Sequence, residues 1–359
     1  MRRSHWAMMG LLFLTGWHAC QKHAIAVQPP PFGAPYERLS EYHFFRGAPA
    51  DLNPNDGVLP YEVINALFTD YAFKSRFVWM PAGVSGTMKT DGTIEFPSGT
   101  ILIKVFYYPE DMRHAEGPRR IMETRLLIHE ENHWSAYAYI WNERQSEAIY
   151  SPVGDLLPAS WVDSSGLKQS IHYLVPNKNQ CKNCHNQDET IQPIGPKYAN
   201  LNRTLAYADG SRENQLTRWI RQGYLNSDLD TAAMETMPLW SDPSAGSLQA
   251  RALAYLDVNC GHCHRPNGPG NTSGLYLQFS EVNATHLGIC KVPVAAGKGS
   301  GGRRFDIHPG HPDASILMYR VESTDPGVMM PELGRSMVHR EGVALIRNWI
   351  ASLDQDCYD

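Results

Sequence analysis

Apolar and polar positions along the chain follow two periods. Between about residues 60 and 175, runs rich in Val, Ile, Thr, Phe, Tyr and Trp recur at 76–80, 100–108, 121–128 and 134–141, a composition that predicts β-strands. From Ile101 to Tyr108 both alternating faces are largely apolar, as in a strand covered on both sides. Asp91-Gly92 supplies the residues a tight hairpin turn between Met88 and Phe96 requires. Further on the period lengthens to that of helices. Leu216, Trp219 and Ile220 share one face over 211–222, closed by Gly223; Leu248, Ala252, Tyr255 and Leu256 do so over 247–258; Val343, Ile346, Ile350 and Leu353, with Trp349 beside them, do so over 340–353. The expected architecture is therefore α+β and multidomain: an N-terminal antiparallel β-sandwich or partial barrel over 60–175, then mainly α segments over 176–245 and 246–359.

Composition narrows the partners. A chain of 359 residues is long enough for two or three domains. Its net charge is -5 and no lysine or arginine run could track a phosphate backbone, so nucleic acid is not an expected partner. Arg2 and Arg3 precede the short apolar run Met8 to Leu14, the pattern of an export signal over residues 1–20. That run is too short to span a bilayer. Cys20 follows Ala19 in a stretch that resembles a bacterial lipoprotein processing site, although Trp17 and His18 depart from the usual pattern. Two outcomes follow: a lipid anchor at Cys20 with residues 21–59 as a Pro-rich tether and irregular segment, or ordinary cleavage nearby and a free periplasmic protein.

The seven cysteines carry the chemistry. Four lie in Cys181-Lys182-Asn183-Cys184-His185 and Cys260-Gly261-His262-Cys263-His264, where two thiols spaced to meet the two vinyl groups of a porphyrin are followed at once by a histidine able to reach the iron. A Cys-x-x-Cys pair alone would also suit zinc or a redox dithiol, but the adjoining histidine and the long separation of the two pairs favour covalent c-type haem at both. Cys290 and Cys357 remain as a pair free to form a disulfide in an oxidising compartment. For the second, distal ligand, Met237 ahead of Pro238 is preferred over Met234 for the first haem, and Met330 ahead of Pro331 over Met329 for the second. A core, gap-filling role is the alternative for each methionine. His114, His129 and His133, near several glutamates, share no ligand spacing, and residues 130–133 read as a solvated hairpin loop.

The order of helix, CxxCH, Met-Pro loop and closing helix from about residue 247 to 353 resembles a class I cytochrome c. The whole layout, with Gln180-Cys181, Asp257-Val258-Asn259-Cys260 and Met329-Met330-Pro331-Glu332-Leu333-Gly334-Arg335, is similar to a family of bacterial di-haem proteins with an N-terminal β-region. That resemblance implies two covalent haems in cytochrome c-like domains. A His- and Met-ligated iron has no open position and moves electrons, so the expected role is electron transfer between redox protein partners, a dehydrogenase on one side and a respiratory acceptor on the other. If Met237 is not a ligand, the first iron is open and a di-haem peroxidase is the alternative. A third reading makes the β-domain a docking module.

Overall fold

The computed structural model describes residues 25–357 except 208 and 227–229; the expected export signal and Cys20 lie outside the described residues. In chain order the first ten strands are β1 Val58–Tyr61, β2 Phe73–Trp79, β3 Gly86–Met88, β4 Ile94–Glu95, β5 Ile101–Pro109, β6 Arg119–His129, β7 Trp134–Trp141 and β8 Ala148–Tyr150, then β9 Asp155–Val162 and β10 Lys168–Val175, with only two- and three-residue strands after them. One six-stranded antiparallel sheet runs β1-β2-β5-β6-β7-β8. Strands β3 and β4 pair through the turn at Asp91-Gly92, where Gly92 adopts a positive φ of 84°. Strands β9 and β10 form a separate two-stranded ribbon.

Alternation along the central strands decides what covers each face. Ile101, Ile103 and Val105 point to one face, where Val27, Leu39, Tyr42, Phe44 and Leu52 of the preceding segment complete a core. Leu102 and Phe106 point to the other. There, one end packs on Leu201, Leu216, Trp219 and Leu225, and the far end on Ala159, Trp161, Tyr173 and Val175 of the ribbon. The sheet is thus neither a sandwich nor a barrel: its strand order is open, and its second layers are irregular chain, ribbon and short helices.

The expectation of mainly α, cytochrome c-like haem domains is overturned. Strands hold 26% of the residues and helices only 22%. The helices are α1 Lys178–His185, α2 Tyr198–Leu201, α3 Gln215–Arg221, α4 Leu248–Leu256, α5 Ile316–Glu322 and α6 Arg340–Ala351, the last being the longest at 12 residues. The reason is local. Pro266, Gly268, Pro269, Gly270, Gly274, Pro293 and the glycines from 297 to 302 break the chain before α5, so that beyond a π-turn at Asp257–Gly261 the helical segments between α4 and α5 are single 3-10 turns. The helix expected over 211–222 is likewise shorter, because Asn214 accepts from the Leu216 amide at 2.9 Å and caps α3 there. A disulfide joins Cys290 to Cys357. Among the described residues no helix is long and apolar enough to cross a membrane.

Three buried polar side chains lock these parts together. The Asp70 carboxylate accepts from the Ser336 amide, the Ser336 hydroxyl and the Met337 amide at 2.8–2.9 Å. Asn259 accepts from the Phe68 amide at 2.8 Å, and Asn65 donates to the Pro238 carbonyl at 2.9 Å while accepting from the Trp240 amide. Asp70→Ala removes charge-assisted bonds worth about 1.5–3 kcal/mol apiece and puts alanine at a positive φ. The expected loss is roughly 3 kcal/mol, read as a lower urea midpoint; an unchanged midpoint would count against this clasp.

Candidate functional site

The first motif lies on α1, which begins at a reciprocal cap: Asn177 accepts from the Gln180 amide and Gln180 accepts from the Asn177 amide, both at 2.9 Å. Helical spacing then sets Cys181 and His185 on one face, one turn apart. That face looks onto the middle of the sheet, where Cys181 and His185 line a cavity of about 120 Å³. Nδ1 of His185 lies 2.7 Å from the Gln192 carbonyl, an acceptor only, so Nδ1 carries the proton and Nε2 keeps its lone pair.

Opposite the helix, the sheet presents a row of cations. Arg76 on β2, Lys104 on β5 and Arg125 on β6 are direct cross-strand partners, and all three line the same cavity. Like charges set side by side repel, and burial holds the Lys104 amine well below its ordinary pKa, with Arg76 and Arg125 adding to the effect. Only Arg125 among them is salt-bridged to a carboxylate within the described residues: its guanidinium donates to Glu123 at 2.7 and 2.5 Å, and Glu123 also accepts from Tyr173 at 2.6 Å. The signal in the sequence was faint. Only Lys104 is a lone charge interrupting an apolar strand, Arg76 and Arg125 lying in the polar runs Lys74-Ser75-Arg76 and Glu123-Thr124-Arg125, and the alignment of the three appears only once the register is known.

The second motif follows α4, whose start is capped by Ser247 accepting from Ala250, through a π-turn at Asp257–Gly261 that carries Cys260. Gly261 is required there, since a side chain would meet the Leu277 carbonyl at 2.9 Å. Cys260, Cys263, His264 and Met330 line a second cavity of about 510 Å³, which Cys184 of the first motif also borders. Ser273 gives its hydroxyl proton to the Gly270 carbonyl at 2.6 Å, so its oxygen accepts from His264 Nδ1 at 3.1 Å. The result matches His185: Nε2 is left bare. Met330 is positioned by Arg335, a buried side chain that donates to the carbonyls of Met330, Met337, Arg320 and Ser323 at 2.8–3.3 Å.

The methionines differ in what they touch. Met330 borders the second cavity, while Met329 is buried in the adjoining loop. Met237 packs in an apolar cluster with Ala199, Ala254 and Val258, outside the lining of the first cavity; Met234 packs against the Trp219 cluster. Glu130, expected in a solvated loop, is instead buried and accepts from Tyr137, Ser135 and Gly33. Sequence reasoning passed over Ser273, Arg335 and the cation row.

Burial pushes the thiols of Cys260 and Cys263 up to about 12, and those of Cys181 and Cys184 upward as well. A redox dithiol needs the opposite shift. Among the described residues no group of three or more His, Cys, Asp or Glu side chains could hold a metal ion. A porphyrin fits better. The second cavity falls within the range of about 300–1,000 Å³ typical of cofactor sites and joins two thiols, an imidazole oriented through Nδ1 and a thioether. At the first cavity the match is one of donors: the Cys181 thiol, an oriented imidazole and cations suited to propionates, while Cys184 borders the second cavity. Its volume of about 120 Å³ lies below that range. The chain matches no protein-family model, no curated protein and no solved structure.

Arg335→Ala removes the guanidinium donor from four carbonyls, of which that of Arg320 keeps the Met330 amide, and is expected to cost about 2–4 kcal/mol. Amide hydrogen exchange should accelerate across residues 328–335 while β5 to β7 stay protected. Equal acceleration throughout the chain would contradict a local role.

Proposed function

We propose that the chain is a di-haem c-type electron carrier. One porphyrin is attached at Cys181 and Cys184 with His185 as proximal ligand, and a second at Cys260 and Cys263 between His264 and Met330. The observation that carries the reading is the convergence of Cys260, Cys263, His264 and Met330 on one cavity, with the histidine held through Nδ1. When bound, such a group supplies one-electron redox chemistry at a potential that methionine ligation raises.

The chain's own residues bind, orient and exclude water. Gln192 and Ser273 fix the imidazole planes and direct Nε2 inward. Arg335 holds the loop that presents Met330. Arg76, Lys104 and Arg125 offer countercharge for carboxylates. Leu275, Leu277, Ile316 and Leu317 keep the second cavity largely apolar. One electron enters from a reduced protein donor and one leaves to an oxidised protein acceptor, with no proton or group transferred. Export to the periplasm, with or without lipid attachment at Cys20, belongs to the same proposal, since haem attachment and the Cys290–Cys357 disulfide both suit an oxidising compartment.

The test is mass spectrometry with a pyridine haemochrome count on protein made in a host equipped for c-type maturation. Wild type should carry two haems, and Cys181→Ala/Cys184→Ala and Cys260→Ala/Cys263→Ala one each. A bare polypeptide mass for the wild type would refute the reading.

A further inference from the structure

We propose that His262, between the two cysteines of the second motif, is the distal ligand of the haem attached at the first. The inference rests on the reading above and sharpens it: the first centre is bis-histidine, the second histidine–methionine.

His262 lines the same cavity as Cys181 and His185 and also borders the second cavity, so it stands in the wall the two share. It is only 7% exposed, and its Nδ1 is buried without a hydrogen-bond partner. The contrast within the motifs is informative. His185 and His264 each have Nδ1 committed to an acceptor, whereas His262 has not. Leaving a buried polar group unpaired is costly, and each such group in a native structure calls for a partner that completes it.

The other donors lining that cavity are occupied. The Tyr137 hydroxyl donates to Glu130 at 2.7 Å, Lys197 pairs with Asp257 at 2.8 Å, the Asn200 side chain accepts from the Asn65 amide at 2.8 Å and donates to the Asn65 carbonyl at 3.0 Å, and the Asn65 side chain donates to the Pro238 carbonyl at 2.9 Å. Met237 faces its own apolar cluster. Lys104 and Tyr61 remain as competitors: Lys104 stands in the cation row between Arg76 and Arg125, and the Tyr61 ring packs edge-on against Trp219 in the apolar cluster at one end of the sheet.

The experiment compares near-infrared magnetic circular dichroism and electron paramagnetic resonance of oxidised, haem-loaded wild type, His262→Ala, His262→Met and Lys104→Met. Wild type should show one bis-nitrogen and one sulfur-ligated low-spin centre. In His262→Ala the bis-nitrogen signal should be lost, one centre becoming high-spin and returning to low-spin with added imidazole, while the sulfur-ligated signal stays. His262→Met should raise the lower of the two midpoint potentials. Two sulfur-ligated centres or a native high-spin centre in wild type would overturn the proposal without any variant. So would a His262→Ala spectrum unchanged with both haems attached, or the same loss in Lys104→Met. Protein lacking haem altogether overturns the functional reading itself, which separates the two failures.

Discussion

Three cations lying side by side across adjacent strands constrain everything built on that side of the sheet. Arg76, Lys104 and Arg125 occupy the middle of a face whose two ends are apolar, and Glu123 neutralises only one of them. Repulsion of this kind between neighbours a strand apart opposes close packing. The apolar clusters at the ends can close on helix α3 and on the ribbon, but the centre cannot be sealed by a hydrophobic lid. What covers it is α1, an eight-residue helix bringing two cysteines, a histidine and few apolar side chains. The sheet therefore does more than support the motif; it provides a local positive potential that favours an anionic group.

The second site is built on a different principle. Its motif emerges from a packed helix, α4, which crosses α6 where Gly342 leaves room for the Tyr255 ring. Backbone hydrogen bonds from Cys263 and His264 to Cys260 hold the motif turn, and Leu277 donates to the His264 carbonyl at 2.8 Å. Gly270 passes beside the His264 ring where a side chain would meet it at 3.1 Å. Here rigidity comes from the chain close by, and the cavity is already open in the structure.

What was legible in the sequence is what spacing encodes locally. The two CxxCH motifs need only five consecutive residues, and the strands from 73 to 141 announce themselves through β-branched and aromatic runs bounded by turn residues. The misreading of the C-terminal region as mainly α came from three real amphipathic segments, extended in thought across glycines and prolines that end them. Met237 attracted attention because Pro238 follows it, yet a proline restrains backbone and says nothing of where the side chain packs. His262 went unweighed because it fills a variable position of a motif. The cation row, Ser273 and Arg335 depend on register and tertiary contact, which no single stretch of sequence carries.

The wall shared by the two cavities has a consequence for the order of assembly. Asp257, Val258 and His262 close a chamber whose opposite wall carries Cys181 and His185, some 80 residues earlier in the chain. A polypeptide synthesised from its N-terminus presents Cys181 and His185 before the later segment exists. The N-terminal chamber is therefore finished only when the C-terminal one takes shape, and the two centres are not beads that could be cut apart at residue 245 and each kept whole.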